Sequence, residues 1–198
     1  MKEANILLDA LPTKVTVSGE EYPIDTNFRT GIQFEMLMGD RTLGKKEKAL
    51  IALRLYYGNN IPRDIDGAAL AMVRFYRCGT DPDERSETTA RSAVGRRRMD
   101  KIYDFDVDAA LFYAAFLTQY GIDLNEIDYL HWWKFMAMFE GLSRDHEIQR
   151  IMQIRGTDLA SIENQKERQR IAKLQDRYRI EAGLTAEEKA NIAGSVFG

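Results

Sequence analysis

The sequence predicts a mainly α-helical protein: a multi-helix, bundle-like domain with a small N-terminal β-hairpin and a charged C-terminal helix. Three observations carry this reading. Alternation of apolar and polar residues appears near the N-terminus, within "LPTKVTVSGEEYPIDTNF". Beyond it, apolar residues recur at helical spacing in segments bounded by Asp, Thr, Pro and Gly. Towards the C-terminus, "NQKERQRIAKLQDRYRIEAG" is long and charged with a thin apolar stripe.

Bulk properties bound the class. The chain has 198 residues, enough for a core-forming domain with an appendage. Its hydrophobic fraction of 44% and charged fraction of 30% are those of a soluble globular protein. The net charge of −3 argues against nucleic acid as a partner of the chain as a whole. The single cysteine, Cys78, permits no internal disulfide and reads as a small apolar residue. The N-terminus lacks the apolar core of a secretory signal, and no apolar run approaches the roughly 20 residues that span a bilayer. A cytoplasmic protein without membrane contact is expected.

The elements follow in order. Val15 and Val17 alternate with Lys14 and Thr16, Ser18-Gly19 supplies turn chemistry, and Tyr22 and Ile24 resume the alternation, so a hairpin forms with Pro23 limiting its second strand to an edge. Asp25 or Thr26 caps a helix carrying Phe28, Ile32 and Met36 that ends near Gly39. Thr42 caps a second, with Ala49, Leu50, Leu53 and Tyr57 on one face, ending near Gly58. Pro62 starts a third, whose stripe is Ile65, Ala69, Met72, Val73 and Tyr76, with Gly79 after its end.

Residues 80–100 have almost nothing apolar to bury and read as a mobile linker or a segment ordered by a partner. Asp106 or Asp108 then caps a helix that is apolar nearly all round, through Leu111, Phe112, Tyr113, Phe116 and Leu117, and so is expected to be central and buried, with Gly121 at its end. Asp123 with Glu126 makes a capping box for a helix containing His131, Trp132 and Trp133, ending at Gly141. Ser143 caps a short helix with Ile148, Ile151 and Met152, closed by Gly156. The charged helix follows with Ile171, Leu174 and Tyr178 as its stripe, and Thr185 with Glu188 can cap a last turn or two. The expected organisation is a helical domain over 1–160, including hairpin and linker, and a charged helical extension over 161–198.

Candidate sites are few. His131 beside two indoles is the densest constellation, but burial of a Trp or Phe contributes on the order of 2–3 kcal/mol, which accounts for the aromatics without a ligand. Tyr113, Phe116, Tyr120, Trp132, Trp133, Phe135 and Phe139 are therefore expected in the core. The only other histidine, His146, lies on the next predicted helix, and the two do not have the H-E-x-x-H spacing of a zinc site. Asp104, Asp106 and Asp108 begin like a calcium loop, but Ala109 and Ala115 stand where glycine and glutamate belong; helix capping explains these acids better. Cys78 lacks a paired base. No phosphate-cradling or serine-hydrolase motif occurs, so no catalytic residue, metal or cofactor is predicted. Two segments remain as candidate partner contacts: the basic run Arg96, Arg97 and Arg98, and the Ile171, Leu174, Tyr178 stripe.

The phrases "SGEEYPIDTNFRTGIQFE" and "YDFDVDAALFYAAFLTQYGIDLNEIDYLHWWKFMAMFEGL", followed by "IMQIR", resemble the bacteriophage gp-fifteen family across roughly residues 13–160. The central phrase is the specific part. The resemblance implies a non-enzymatic siphophage tail-module protein, a chaperone-like factor that holds the tape-measure protein during tail assembly, or otherwise a structural tail or connector component. Implied partners are other tail-assembly proteins, the tape-measure protein first among them, and further copies of the chain, in the host cytoplasm. The resemblance brings no catalytic residues; the matching aromatics, Tyr22 and Phe28 among them, look like the family's core. The eight methionines, including Met36, Met38, Met136, Met138 and Met152, read first as core filler, with an adaptable apolar holding surface as the alternative.

Overall fold

A computed structural model describes residues 5–80 and 102–180. The arginines Arg96, Arg97 and Arg98, with nearly all of the expected linker, lie outside the described residues, as do Thr185 and Glu188. The chain is mainly α. A hairpin pairs β1 (Lys14–Val17) with β2 (Glu20–Pro23). Helices follow at α1 (Phe28–Gly39), α2 (Lys45–Tyr57), α3 (Ile65–Tyr76), α4 (Ala109–Tyr120), α5 (Trp132–Glu140), α6 (Glu147–Gly156) and α7 (Gln165–Arg177), with a 3-10 turn at Leu159–Ser161 before the last.

The described residues group into two compact units. The first holds residues 5–80 and Asp128–Glu140; the second holds residues 102–127 and 141–180. No boundary falls at residue 160, where the sequence places one.

In the first unit the hairpin turns through Ser18 and Gly19 at φ 51° and 85°, the left-handed pair that matches strand twist. Ser18 Oγ donates to Asp64 Oδ2 at 2.6 Å, and Asp64 Oδ1 accepts from Gly67 N at 2.9 Å as the N-cap of α3. One carboxylate thus joins the hairpin turn to a helix start, and the Ser18 hydrogen bond holds its pKa below the usual range. The α1 cap is Asn27, not Asp25 or Thr26; its side chain accepts from Arg29 N. Gly44 rather than Thr42 precedes α2, and Gly44 N donates to Glu47 Oε2 at 2.8 Å.

The buried faces differ by a fraction of a turn from the predicted stripes. α2 buries Ala52, Leu53, Tyr56 and Tyr57, leaving Leu50 66% exposed. α3 buries Ala68, Met72 and Phe75, leaving Ile65 at the surface. Periodicity finds a helix readily, but the choice of face depends on what lies across from it.

In the second unit α4 departs most from expectation. Its uniform apolarity predicts a buried helix, yet it buries Phe112, Ala115 and Phe116 and leaves Tyr113 and Leu117 36% and 41% exposed. Asp123 and Glu126 do not start the Trp-Trp helix: Asp123 closes a local turn onto Asn125 N and Glu126 N, and α5 begins only at Trp132. The N-cap of α6 is His146; Ser143 closes a turn one step earlier by accepting from Asp145 N.

Candidate functional site

The aromatic cluster is built by α5 against α1 and α3. Backbone pairing sets its place: Phe28 N donates to Leu130 O at 2.8 Å and Trp132 N to Thr26 O at 2.7 Å, an antiparallel bridge between Asn27 and His131. The Trp132 indole N–H donates to Tyr76 O at 2.7 Å and the Trp133 indole N–H to Phe75 O at 2.8 Å. These are carbonyls of the last turn of α3, where the regular helical ladder ends; Phe75 O also accepts from Cys78 N at 2.9 Å. Both indoles therefore act as core and as cap. Trp132 stacks on Tyr76 with ring centroids 5.3 Å apart. A Cβ on Gly31 of α1 would overlap the Trp132 ring, so the glycine is what admits the indole. Trp132, Trp133, Phe135 and Phe139 are all buried.

His131 is buried between these groups. Its Nδ1 accepts from Trp133 N at 3.1 Å, which places the proton on Nε2, and Nε2 donates to Pro12 O at 3.1 Å. Burial holds its pKa below the ordinary 6.5, with the Lys134 charge adding in the same direction against the Pro12 hydrogen bond. The ring is a neutral, tautomer-fixed N-terminal cap of α5. Tyr57, on α2, donates from its hydroxyl to Ala68 O at 2.9 Å, and burial pushes its pKa up to about 12. Tyr56 Oη is buried without a hydrogen-bond partner, and burial raises its pKa.

In the second unit the polar centre is one that sequence reasoning missed. Asp108 and Arg155 form a buried ion pair, with Nη1 to Oδ2 at 2.6 Å and Nη2 to Oδ1 at 3.0 Å, and their side chains are 4% and 7% exposed. Arg155 also donates to Ile102 O at 3.1 Å and to Tyr178 O at 2.6 Å. Asp108 Oδ2 accepts from Asp104 N at 2.9 Å, while Asp104 Oδ1 takes the amides of Asp106 and Val107. The expected cap is therefore redirected: Asp108 stands at the N-cap of α4 but spends its carboxylate on Arg155 and on Asp104 N. The available signal was an arginine closing the otherwise uncharged phrase "IMQIR". Its partner lies 47 residues away, beyond any local pattern.

Of the residues predicted for the core, Phe116 is buried, Tyr120 is half-buried, and Tyr113 is corrected to the surface, where its hydroxyl donates to Asp123 Oδ2 at 2.9 Å. Ile171, Leu174 and Tyr178 are half-buried, so the stripe read as a partner contact is partly occupied within the chain. Gln175, on the same side of α7, donates to Ile154 O at 2.9 Å and Thr157 O at 2.7 Å. His146 Nε2 donates to Gln119 Oε1 at 2.9 Å. Among the described residues no group of three or more metal-ligating side chains converges, and no helix is long and apolar enough to cross a membrane.

Apart from the Tyr56 hydroxyl, the buried side-chain polar groups of the described residues are hydrogen-bonded, and two faces stand exposed: the charge-free face of α4 and the basic face of α7. A search of curated proteins and of solved structures finds no match. A family model described as Bacteriophage Gp15 protein matches residues 7–180, most of the chain and almost all that the structure describes. By that match the chain belongs to the Bacteriophage Gp15 protein family, a family of phage structural or assembly proteins.

Proposed function

We propose that this protein is a non-enzymatic tail-assembly factor that holds the tape-measure protein of its phage before the tail tube forms around it. The observation that carries the reading is α4. No residue of Ala109–Tyr120 is charged, yet Tyr113, Leu117 and three alanines lie at the surface. An exposed apolar face of this kind suits an amphipathic helix of a partner. Met36 and Met38, both 41% exposed on α1, add polarizable side chains that repack easily. Association with further copies of the chain and a place in the host cytoplasm belong to the same proposal.

Co-expression with the tape-measure protein of the same phage tests it. The expected outcome is a soluble tape-measure protein that co-elutes with this chain, with Tyr113→Ser and Leu117→Ser together weakening capture. An insoluble tape-measure protein and no complex sink the reading. Recovery of the chain in purified particles at fixed copy number assigns it instead to the virion as a tail or connector component.

A further inference from the structure

Two helices are net basic, α2 and α7, and on α7 the cations form a single stripe. Gln165–Arg177 carries Lys166, Arg168, Arg170, Lys173 and Arg177 against Glu167 and Asp176, a net +3 on a chain whose total is −3, which leaves −6 elsewhere. Lys166, Arg170, Lys173 and Arg177 recur at steps of four, three and four residues, and all are exposed. At a rise of about 1.5 Å per residue the stripe runs about 16 Å along the helix. It is neutralised only in part: Arg170 is ion-paired with Glu167 at 2.7 Å and Asp176 stands next to Arg177. Arg168 is turned back onto Ile162 O at 2.7 Å and stands apart.

The orientation of this stripe is set by the other side of the helix. Asn164 caps the N-terminus, Gln175 reaches Ile154 O and Thr157 O, and Arg155 takes Tyr178 O. With Ile171, Leu174 and Tyr178 half-buried, the helix cannot roll to hide its cations without breaking these bonds. The cost of ordering a binding helix is thus already met in the unbound protein.

We propose that this stripe is a docking face for an acidic protein helix carrying Asp or Glu at the same four-three-four spacing. Charge complementarity names the partner's sign, and helical spacing names its form. Nucleic acid fits less well. The remaining −6 repels a long polyanion, and Tyr178 is half-buried, with Arg177 5.6 Å from its ring centre, rather than open for base stacking. The inference rests on the assembly reading for the class of partner, a protein helix, and not for its identity.

The test uses the full chain and a variant with K166Q, R170Q, K173Q and R177Q. Circular dichroism and thermal melting are expected to match the parent, because all four side chains are exposed. Each protein is titrated with a synthetic helical peptide bearing glutamates at four-three-four spacing, a scrambled peptide of identical composition, and a single-stranded oligonucleotide. The matched peptide is expected to bind the parent about tenfold or more tighter than it binds the variant, with affinity falling as salt rises. Equal affinity for the scrambled peptide, equal binding by the variant, absence of peptide binding, or tighter binding of the oligonucleotide overturns the proposal. If the variant melts early, the reversals K173E and R177E, made singly, are read in the same way. Capture of the tape-measure protein is scored separately. A variant that still keeps it soluble leaves the assembly reading standing and removes this contact from it. Matched-peptide binding by a chain that captures no tape-measure protein does the reverse.

Discussion

Arg155 is the residue on which the second unit turns. Taking two charges out of water is costly, and the pair persists because Asp104 N, Ile102 O and Tyr178 O satisfy what the bidentate contact leaves over. Removing one partner strands the other charge. Arg155→Met is expected to destabilise by about 3–5 kcal/mol in denaturant unfolding. Adding Asp108→Leu to that variant is expected to recover part of the loss, and strictly additive losses in a double-mutant cycle would count against a coupled pair. Tyr56→Phe runs the other way. It deletes a buried hydroxyl with no partner, so stability is expected to rise by about 1 kcal/mol; a loss of that size would mean the hydroxyl is bonded. At His131 the folded pKa lies below the ordinary 6.5, so the native chain resists the proton that the unfolded chain accepts. Its contribution is full above about pH 6.5 and is lost as pH falls below that value. His131→Gln is expected to flatten the stability–pH curve between neutrality and about pH 5, as read by urea midpoints.

Among the elements, α7 and α5 are opposites. α5 contributes four buried aromatics in nine residues and is held by backbone pairing at its start. α7 has no buried residue and is held by side-chain bonds to backbone carbonyls near the end of α6. Gln175→Ala removes both bonds to Ile154 O and Thr157 O. Amide hydrogen exchange in α7 is expected to speed up several-fold while α5 amides stay unchanged. Equal acceleration in both elements would show that α7 opens only with global unfolding. Much of this level was legible in sequence. The hairpin turn, the glycine stop of α4 and the thin stripe of α7 all follow from local chemistry. The caps of α1, α2 and α6 were displaced by one to three residues and the start of α5 by more than two turns, because several Asp, Asn and Ser side chains compete for the same orphan amides.

At the scale of the whole molecule the chain is interleaved. It completes the hairpin and α1–α3, crosses into the second unit for α4, returns to the first for α5, and leaves again. A fragment ending at residue 127 holds the hairpin and α1–α3 but lacks Trp132, Trp133, Phe135 and Phe139. It is expected to show no cooperative thermal transition and poor dispersion of backbone amide resonances. A folded, dispersed fragment would mean that α5 is an accessory to a core complete without it.

The sequence by itself determined the helical class, the hairpin, the approximate limits of most segments, though not the start of α5, and the family. These depend on spacing, capping and turn chemistry, which act over a few residues. Only the tertiary structure decided which faces are buried, that the Trp-Trp helix caps α3 through its indoles, that Asp108 serves Arg155 rather than its own helix, and that the apolar stripe of α7 is half-covered while its cations face out. The physical reason is sequence separation. Trp132 meets Tyr76 across 56 residues and Arg155 meets Asp108 across 47, and a local pattern specifies the need for a partner without naming which distant residue supplies it.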